Sequence, residues 1–333
     1  MPEKPGITSS ELGTLWLTYQ QKTMILRMLE YFIEQADDEK AKNIMVSLYD
    51  EIDPYVEKIT VLFQNEGAVI PVGFTAQDVN KGVPKLYDHG FDIMFVRLIK
   101  EISIGMHALN TTMASREDIV VIYKDLTAIT QKYYNECTQY LIEKGMLARP
   151  PYVSMPKTVE FVKDIKYLKG LNPFNQKRTI NTVEVANVFH AIDTNITGMQ
   201  MITGFAQCAQ EQEAKKYFKK GAELSKSFIK ELSELLLQDG IQVPSPSGGI
   251  ATRSKVAPFS DKLMMYCVNL FCSFAIGGNS FGTSFSLRTD IAAKVAVMVK
   301  DTFQYAQEGA KLMINKGWME EQPQMEERNE LNK

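Results

Sequence analysis

Near the C-terminal end of the chain, Ile291, Val295, Met298, Thr302, Tyr305, Gly309 and Leu312 advance by alternating steps of 4 and 3. Ile119, Tyr123, Leu126, Thr130, Tyr133, Cys137 and Tyr140 repeat that register 172 residues earlier. A sustained seam of this kind is what helices of a bundle use to pack at shallow angles. Both runs end at Lys-Gly, at Gly145 and Gly317, where glycine supplies the left-handed residue that closes a helix. Apolar spacing elsewhere predicts eight helices, at 9–36, 38–66, 85–113, 116–145, 182–211, 213–239, 259–286 and 288–317.

The second four repeat the first four. At a shift of 173, Glu11 falls on Glu184, Met28 on Met201, Phe32 on Phe205 and Leu62 on Leu235. Glu66-Gly67 and Pro71 fall on Asp239-Gly240 and Pro244. At a shift of 172, Leu98 falls on Leu270, Gly105 on Gly277, Arg116 and Asp118 on Arg288 and Asp290, and Tyr133 on Tyr305. Matching caps and turns at fixed offsets are the mark of a duplicated fold. Each copy opens with a capping box, Thr8 with Glu11 and Asn181 with Glu184, in which cap and third residue satisfy each other's backbone N–H. Pro54 lies inside the second helix and should kink it.

The expected architecture is all-α: a tandem duplication of an up-down four-helix bundle. Residues 1–145 form the first bundle, 146–180 a linker, 181–320 the second bundle and 321–333 a polar tail. A short helix is expected at 157–169 within the linker. The Gly-, Pro- and Ser-rich loops 67–84 and 240–258 either run the length of their bundles or stay at one end.

Composition narrows the function. With 45% apolar and 23% charged residues, the chain is an ordinary globular protein with material for two cores. A net charge of −3 with interspersed signs argues against nucleic acid, which leaves a basic stripe. Cys137, Cys208, Cys267 and Cys272 sit at no metal spacing and inside apolar helices, as core residues of a reducing compartment do. The opening MPEKPGITSS lacks the apolar stretch of a signal peptide. Leu263 to Leu287 runs 25 residues without a charge, long enough to span a bilayer. Its many Asn, Ser and Gly residues, and the charges Arg97, Lys100 and Glu101 on the matching helix, instead predict a helix buried on all sides. It should pack on the first copy or on a second subunit.

Four-helix bundles raise the question of a carboxylate-bridged metal pair, which needs Glu-x-x-His on two helices. The residues three before His89, His107 and His190 are Leu86, Ile104 and Asn187, so the motif is absent and no metal or cofactor is expected. Three histidines leave little room for a catalytic triad. His190 with Asp193 one turn on is either a ligand-contacting pair or a histidine bonded to a carboxylate on a helix surface or between the copies; one His and one Asp make an incomplete metal site. Asn269, Ser273, Asn279 and Thr283 either line a pocket or hydrogen-bond across helices, and the second is expected because buried polar groups find protein partners. The ligand-binding candidates are thus His190, Asp193, Asn269, Ser273 and Asn279; no catalytic residue is assigned.

The start Ser9-Ser-Glu-Leu-x-x-Leu-Trp16 resembles that of a family from spore-forming Firmicutes. So do Ile70-Pro-Val-Gly-Phe-Thr75, Glu143-Lys-Gly145 with Arg149-Pro-Pro-Tyr152, and Pro258-Phe-Ser-Asp-Lys-Leu-Met-Met265. The chain resembles, from about residue 8 to 322, domain-of-unknown-function family 3231, related to spore coat protein F-like proteins. That resemblance implies tandem ferritin-like four-helix units and no known activity. The expected function is a non-enzymatic structural or interaction protein, cytoplasmic or spore-associated, with a protein partner or self-association and neither nucleic acid nor membrane. The alternative is a small-molecule binder, or an unfamiliar enzyme, with its pocket in the second bundle.

Overall fold

The computed structural model describes residues 5–171, 177–246 and 248–327. The expectations for residues 1–4, for linker residues 172–176 and for tail residues 328–333 lie outside the described residues. Among the described residues, eight long helices form two packing groups: α1 (Ser9–Gln35), α2 (Glu39–Asn65), α3 (Phe91–Met113) and α4 (Glu117–Glu143), then α5 (Thr182–Cys208), α6 (Gln212–Gln238), α7 (Asp261–Phe285) and α8 (Thr289–Asn315). The fold is all-α and duplicated.

The helix ends show why these segments stop where they do. Thr8 and Asn181 close the capping boxes read from the sequence. Gly67, Gly145, Gly240 and Gly317 all have φ between 66° and 71°, which a side chain disfavours. α2 continues unbroken through Pro54. α3 begins six residues later than 85, because Lys85 to Asp88 pair with the second crossover and Gly90, at φ 90°, makes the turn into the helix. The seam of α4 is buried at all seven positions. That of α8 is buried at six, with Met313 replacing Leu312 at the end.

Polar contacts fix the topology. Ser10 Oγ donates to the Met113 carbonyl (3.1 Å), and Arg116 Nη1 donates to Glu66 (2.5 Å). The start of α1 and the ends of α2 and α3 therefore share one end of the bundle, so α2 and α3 run parallel, in place of the strict up-down alternation expected from the sequence. The loop between them traverses the bundle's length, as in a four-helix fold with one long crossover. The second copy is built the same way, with Arg288 Nη1 donating to Asp239 (3.1 Å).

The two crossovers lie against each other, antiparallel. Val79 bridges to Phe259 and Tyr87 to Ala251. Asn80 N–H donates to Pro258 O (2.8 Å), Ser260 N–H to Asp78 O (3.0 Å) and Thr252 N–H to Leu86 O (2.8 Å). Phe259, on the second crossover, inserts between the copies, its ring centroid 5.2 Å from Tyr31 and 6.4 Å from Phe205. One apolar core accordingly runs through both copies, and a smaller cluster fills the far end of each.

Glu11 and Glu184 are wholly buried and close each copy at the end where its crossover begins. Beyond its own cap, Glu11 Oε1 accepts the N–H groups of Ser115 and Arg116, both at 2.8 Å. Glu184 Oε1 accepts those of Leu287 (3.1 Å) and Arg288 (2.9 Å). One carboxylate thus caps two helices, where backbone N–H groups favour negative charge. Burial alone would raise the Glu11 carboxyl, but the N–H groups of Thr8, Ser115 and Arg116 hold it at about 2.

Two further expectations need correction. Among the described residues, the linker holds only a 3-10 turn, Ile165–Leu168, not a helix over 157–169; Val159, Phe161 and Val162 of that segment are exposed, so no apolar face is buried to support one. α7 is not buried on all sides. It is long and apolar enough to cross a membrane by length and composition. Its first half, from Leu263 to Cys272, is mostly buried in the shared core, whereas Ser273, Gly277, Phe281 and Phe285 leave one face of its second half open.

Candidate functional site

Between α5, α6, α7 and α8 lies a cavity with an open mouth and about 120 Å³ of internal space. Its walls are mainly apolar, with Val188, Ile202, Phe228, Leu232, Val268 and Phe271 among them. Concave, mostly apolar walls with a few polar groups are the usual make-up of a small-molecule site. Four of the polar lining residues turn donors toward their own helices: Asn187 Nδ2 to Val183 O (3.0 Å), Asn195 Nδ2 to Ala191 O (2.8 Å), Thr283 Oγ1 to Asn279 O (2.7 Å) and Thr302 Oγ1 to Met298 O (2.8 Å). Amide and hydroxyl oxygens of those groups retain accepting capacity.

The repeat register explains the hollow. Extended along the helices, it pairs Lys22 with Asn195, Ile25 with Gly198, Leu48 with Gly221 and Ile52 with Ser225. It pairs Lys100 with Cys272, Met106 with Gly278, His107 with Asn279 and Asn110 with Gly282. Each second-copy residue here lines the cavity and is smaller than its partner. In the first copy Ile25, Leu48, Ile52, Lys22, Lys100 and His107 are all buried and fill the corresponding space. Gly221 lends its room to Tyr305, since a Cβ there would lie 2.1 Å from the Tyr305 hydroxyl. Tyr305 stacks on Tyr217 at 4.2 Å, and each hydroxyl donates to the other's carbonyl, at 3.1 and 3.2 Å.

The filling of the first copy is basic. Lys22 Nζ stands 2.8 Å from His107 Nε2, and His107 Nδ1 lies 3.2 Å from Thr130 Oγ1. Lys100 Nζ is buried with no hydrogen-bond partner. Burial lowers all three groups: Lys22 well below the usual lysine range, with Lys100 adding to it; Lys100 to about 8; and His107 well below the histidine range, with both lysines contributing.

The sequence-derived candidates divide. His190 and Asn279 line the cavity, and so does Thr283. The carboxylate beside His190 is Glu101 of the first copy, with Nε2 2.7 Å from Oε1. Glu101 raises the imidazole against its partial burial. Asp193 instead faces Arg97 Nη1 (3.4 Å) and a small neighbouring cleft. Asn269 and Ser273 do not line the cavity; Ser273 is exposed and donates to Asn269 O (3.1 Å). The expected hydrogen bonds across helices are replaced by bonds within α7, from Ser273, Ser280, Thr283, Ser284 and Ser286 to carbonyls three or four residues back. Asn187, Asn195 and Gly221 were missed; comparing the copies position by position is the signal that finds Asn195 and Gly221, opposite Lys22 and Leu48, but not Asn187, opposite Thr14. Among the described residues, no three His, Cys, Asp or Glu side chains cluster as metal ligands would. The four cysteines are free and buried, and burial pushes the thiols of Cys137, Cys208 and Cys272 up to about 12.

Fold and site together define a duplicated helical-bundle protein with one filled and one hollow copy. The chain belongs to the family described as protein of unknown function (DUF3231), which matches residues 1–159 and 168–331. No curated protein matches it. It is similar to the crystal structure of a Bacillus halodurans C-125 protein provisionally assigned to the spore coat: 19% identity, 45% of this chain and 98% of that one, TM-score 0.42.

Proposed function

We propose that the second bundle binds a small, mostly apolar molecule carrying a hydroxyl or amine donor. The observation that carries this reading is the change from large to small residues at eight register positions that all face one cavity. Cavities in packed cores cost stability, on the order of 24 cal/mol per Å³ in measured series, and an occupant offsets that cost. The donor follows from wall groups whose N–H and O–H bonds are turned to their own helices while their oxygens can still accept. The test is organic extraction of the purified protein followed by mass spectrometry. The reading expects one apolar compound in stoichiometric amount; extracts indistinguishable from those of a variant with Gly278→Met count against it.

A second reading, a structural or interaction protein, is favoured by the exposed Tyr152, Val159 and Phe161 of the linker and by Phe281 and Phe285 of α7. The Phe281 and Phe285 rings lie 5.0 Å apart, and a contiguous exposed apolar patch marks a partner surface. Under it the partner is a protein or another copy of this chain, with neither nucleic acid nor membrane involved, in the cytoplasm or the spore. Fractionation of sporulating cells tests the location, and absence of the chain from every spore layer removes the coat role.

A further inference from the structure

Lys22 lies at the centre of α1, and Lys100 and His107 lie on α3. All three are fully buried. From mid-bundle, neither lysine reaches solvent by extending its stem. Among the described residues, no carboxylate pairs with either amine. Lys22 meets only the imidazole of His107, and Lys100 Nζ meets no acceptor at all. An ammonium carries three donors and no acceptor, and a buried charge without a partner is costly. The other titratable group beside Lys100 is the thiol of Cys137 on α4, which burial keeps protonated. Burial lowers the Lys100 amine only to about 8. Lys100 thus brings three donors into the core and meets no acceptor.

We propose that Lys22, Lys100 and His107 form an internal site for one small monovalent anion of halide size, held between the two amines. The anion supplies the missing acceptor and neutralises the charge that the fold buries. Lys22 and Lys100 are its direct ligands. His107, bonded to Thr130 through its other nitrogen, orients the Lys22 amine. The second copy has Asn195, Cys272 and Asn279 at these positions, so it carries no such site.

The full chain, dialysed into sodium gluconate, tests this at pH 7 and constant ionic strength. Chloride or bromide is exchanged for gluconate, an anion too large for a closed core, while thermal unfolding is followed. Binding to the native state alone raises Tm with the logarithm of halide concentration, with the slope of one ion. Lys100→Met abolishes that dependence. Crystals of the unaltered protein soaked in bromide give a second measurement that needs no variant: an anomalous peak between the Lys22 and Lys100 amines. Equal melting in halide and gluconate, a halide effect that Lys100→Met retains, or a bromide map with no peak there overturns the proposal.

Discussion

Lys22 Nζ and His107 Nε2 stand 2.8 Å apart in the middle of the first bundle, and the two residues at their positions in the second, Asn195 and Asn279, both face a cavity. Duplication kept the frame and changed what fills it. In the first copy three basic side chains and Ile25, Leu48 and Ile52 occupy the interior. In the second, shorter side chains leave it empty.

Gly278 sits inside α7, and a Cβ there would meet no heavy atom within 4 Å. Gly278→Ala therefore removes a helix-interior glycine without a clash and should stabilise the protein by about 0.5–1 kcal/mol. Urea unfolding checks this. A loss of stability would mean that the second half of α7 is more tightly packed than described.

Glu184 bonds four backbone and guanidinium partners beyond its own cap: Leu287 and Arg288 N–H and two Arg178 nitrogens. Glu184→Gln should cost about 2 kcal/mol, the scale of hydrogen bonds to a charged group. Acid sensitivity follows from Glu11. Its folded carboxyl is held at about 2, below the ordinary 4.5, so its contribution is complete above 4.5 and is lost as pH falls from there toward 2. Glu11→Gln should flatten that part of the stability–pH curve, and an unchanged acid limb would contradict the network.

Phe259 joins the two copies, so Phe259→Ala should cost about 3–5 kcal/mol. Because the core is continuous, wild type and variant should each unfold in one cooperative transition, followed by calorimetry. Two separated transitions would show that the copies melt independently.

His190 is half exposed, yet Glu101 raises its imidazole above the ordinary 6.5. The ion pair is present below that value and is lost as pH rises through the raised one. Solvent around the ring keeps its worth in stability small. The direct readout is the imidazole resonance in NMR, whose midpoint Glu101→Gln should shift downward.

How far the sequence carries depends on the level. Helices, capping boxes and the α8 seam are local, set by spacing and by glycine, and were readable. So was the repeat, and with it, unrecognised, every member of a network in which Arg116 bonds Glu66 and Asp118 beside Glu11, copied where Arg288 bonds Asp239 and Asp290 beside Glu184. What was not readable depends on contacts distant in sequence. The crossovers recruited 85–88 into pairing with 250–252, which delayed α3. Serines of an apolar helix bonded their own carbonyls, which periodicity does not distinguish from bonds across helices. His190 was identified as a candidate, but its partner, Glu101, lies 89 positions away on another helix of the other copy.

The central claim is that the second bundle is a binding site because the side chains that fill the first are gone. The measurement that addresses it most directly is a titration with N-phenyl-1-naphthylamine, an apolar amine that fluoresces when removed from water, on wild type and on Gly278→Met. Gly278→Met restores the residue that the first copy has at that place, Met106. The account predicts saturable binding of one probe per wild-type chain and its loss in the variant while the fold persists. Equal binding by both, or none by wild type after extraction of any occupant, would contradict it.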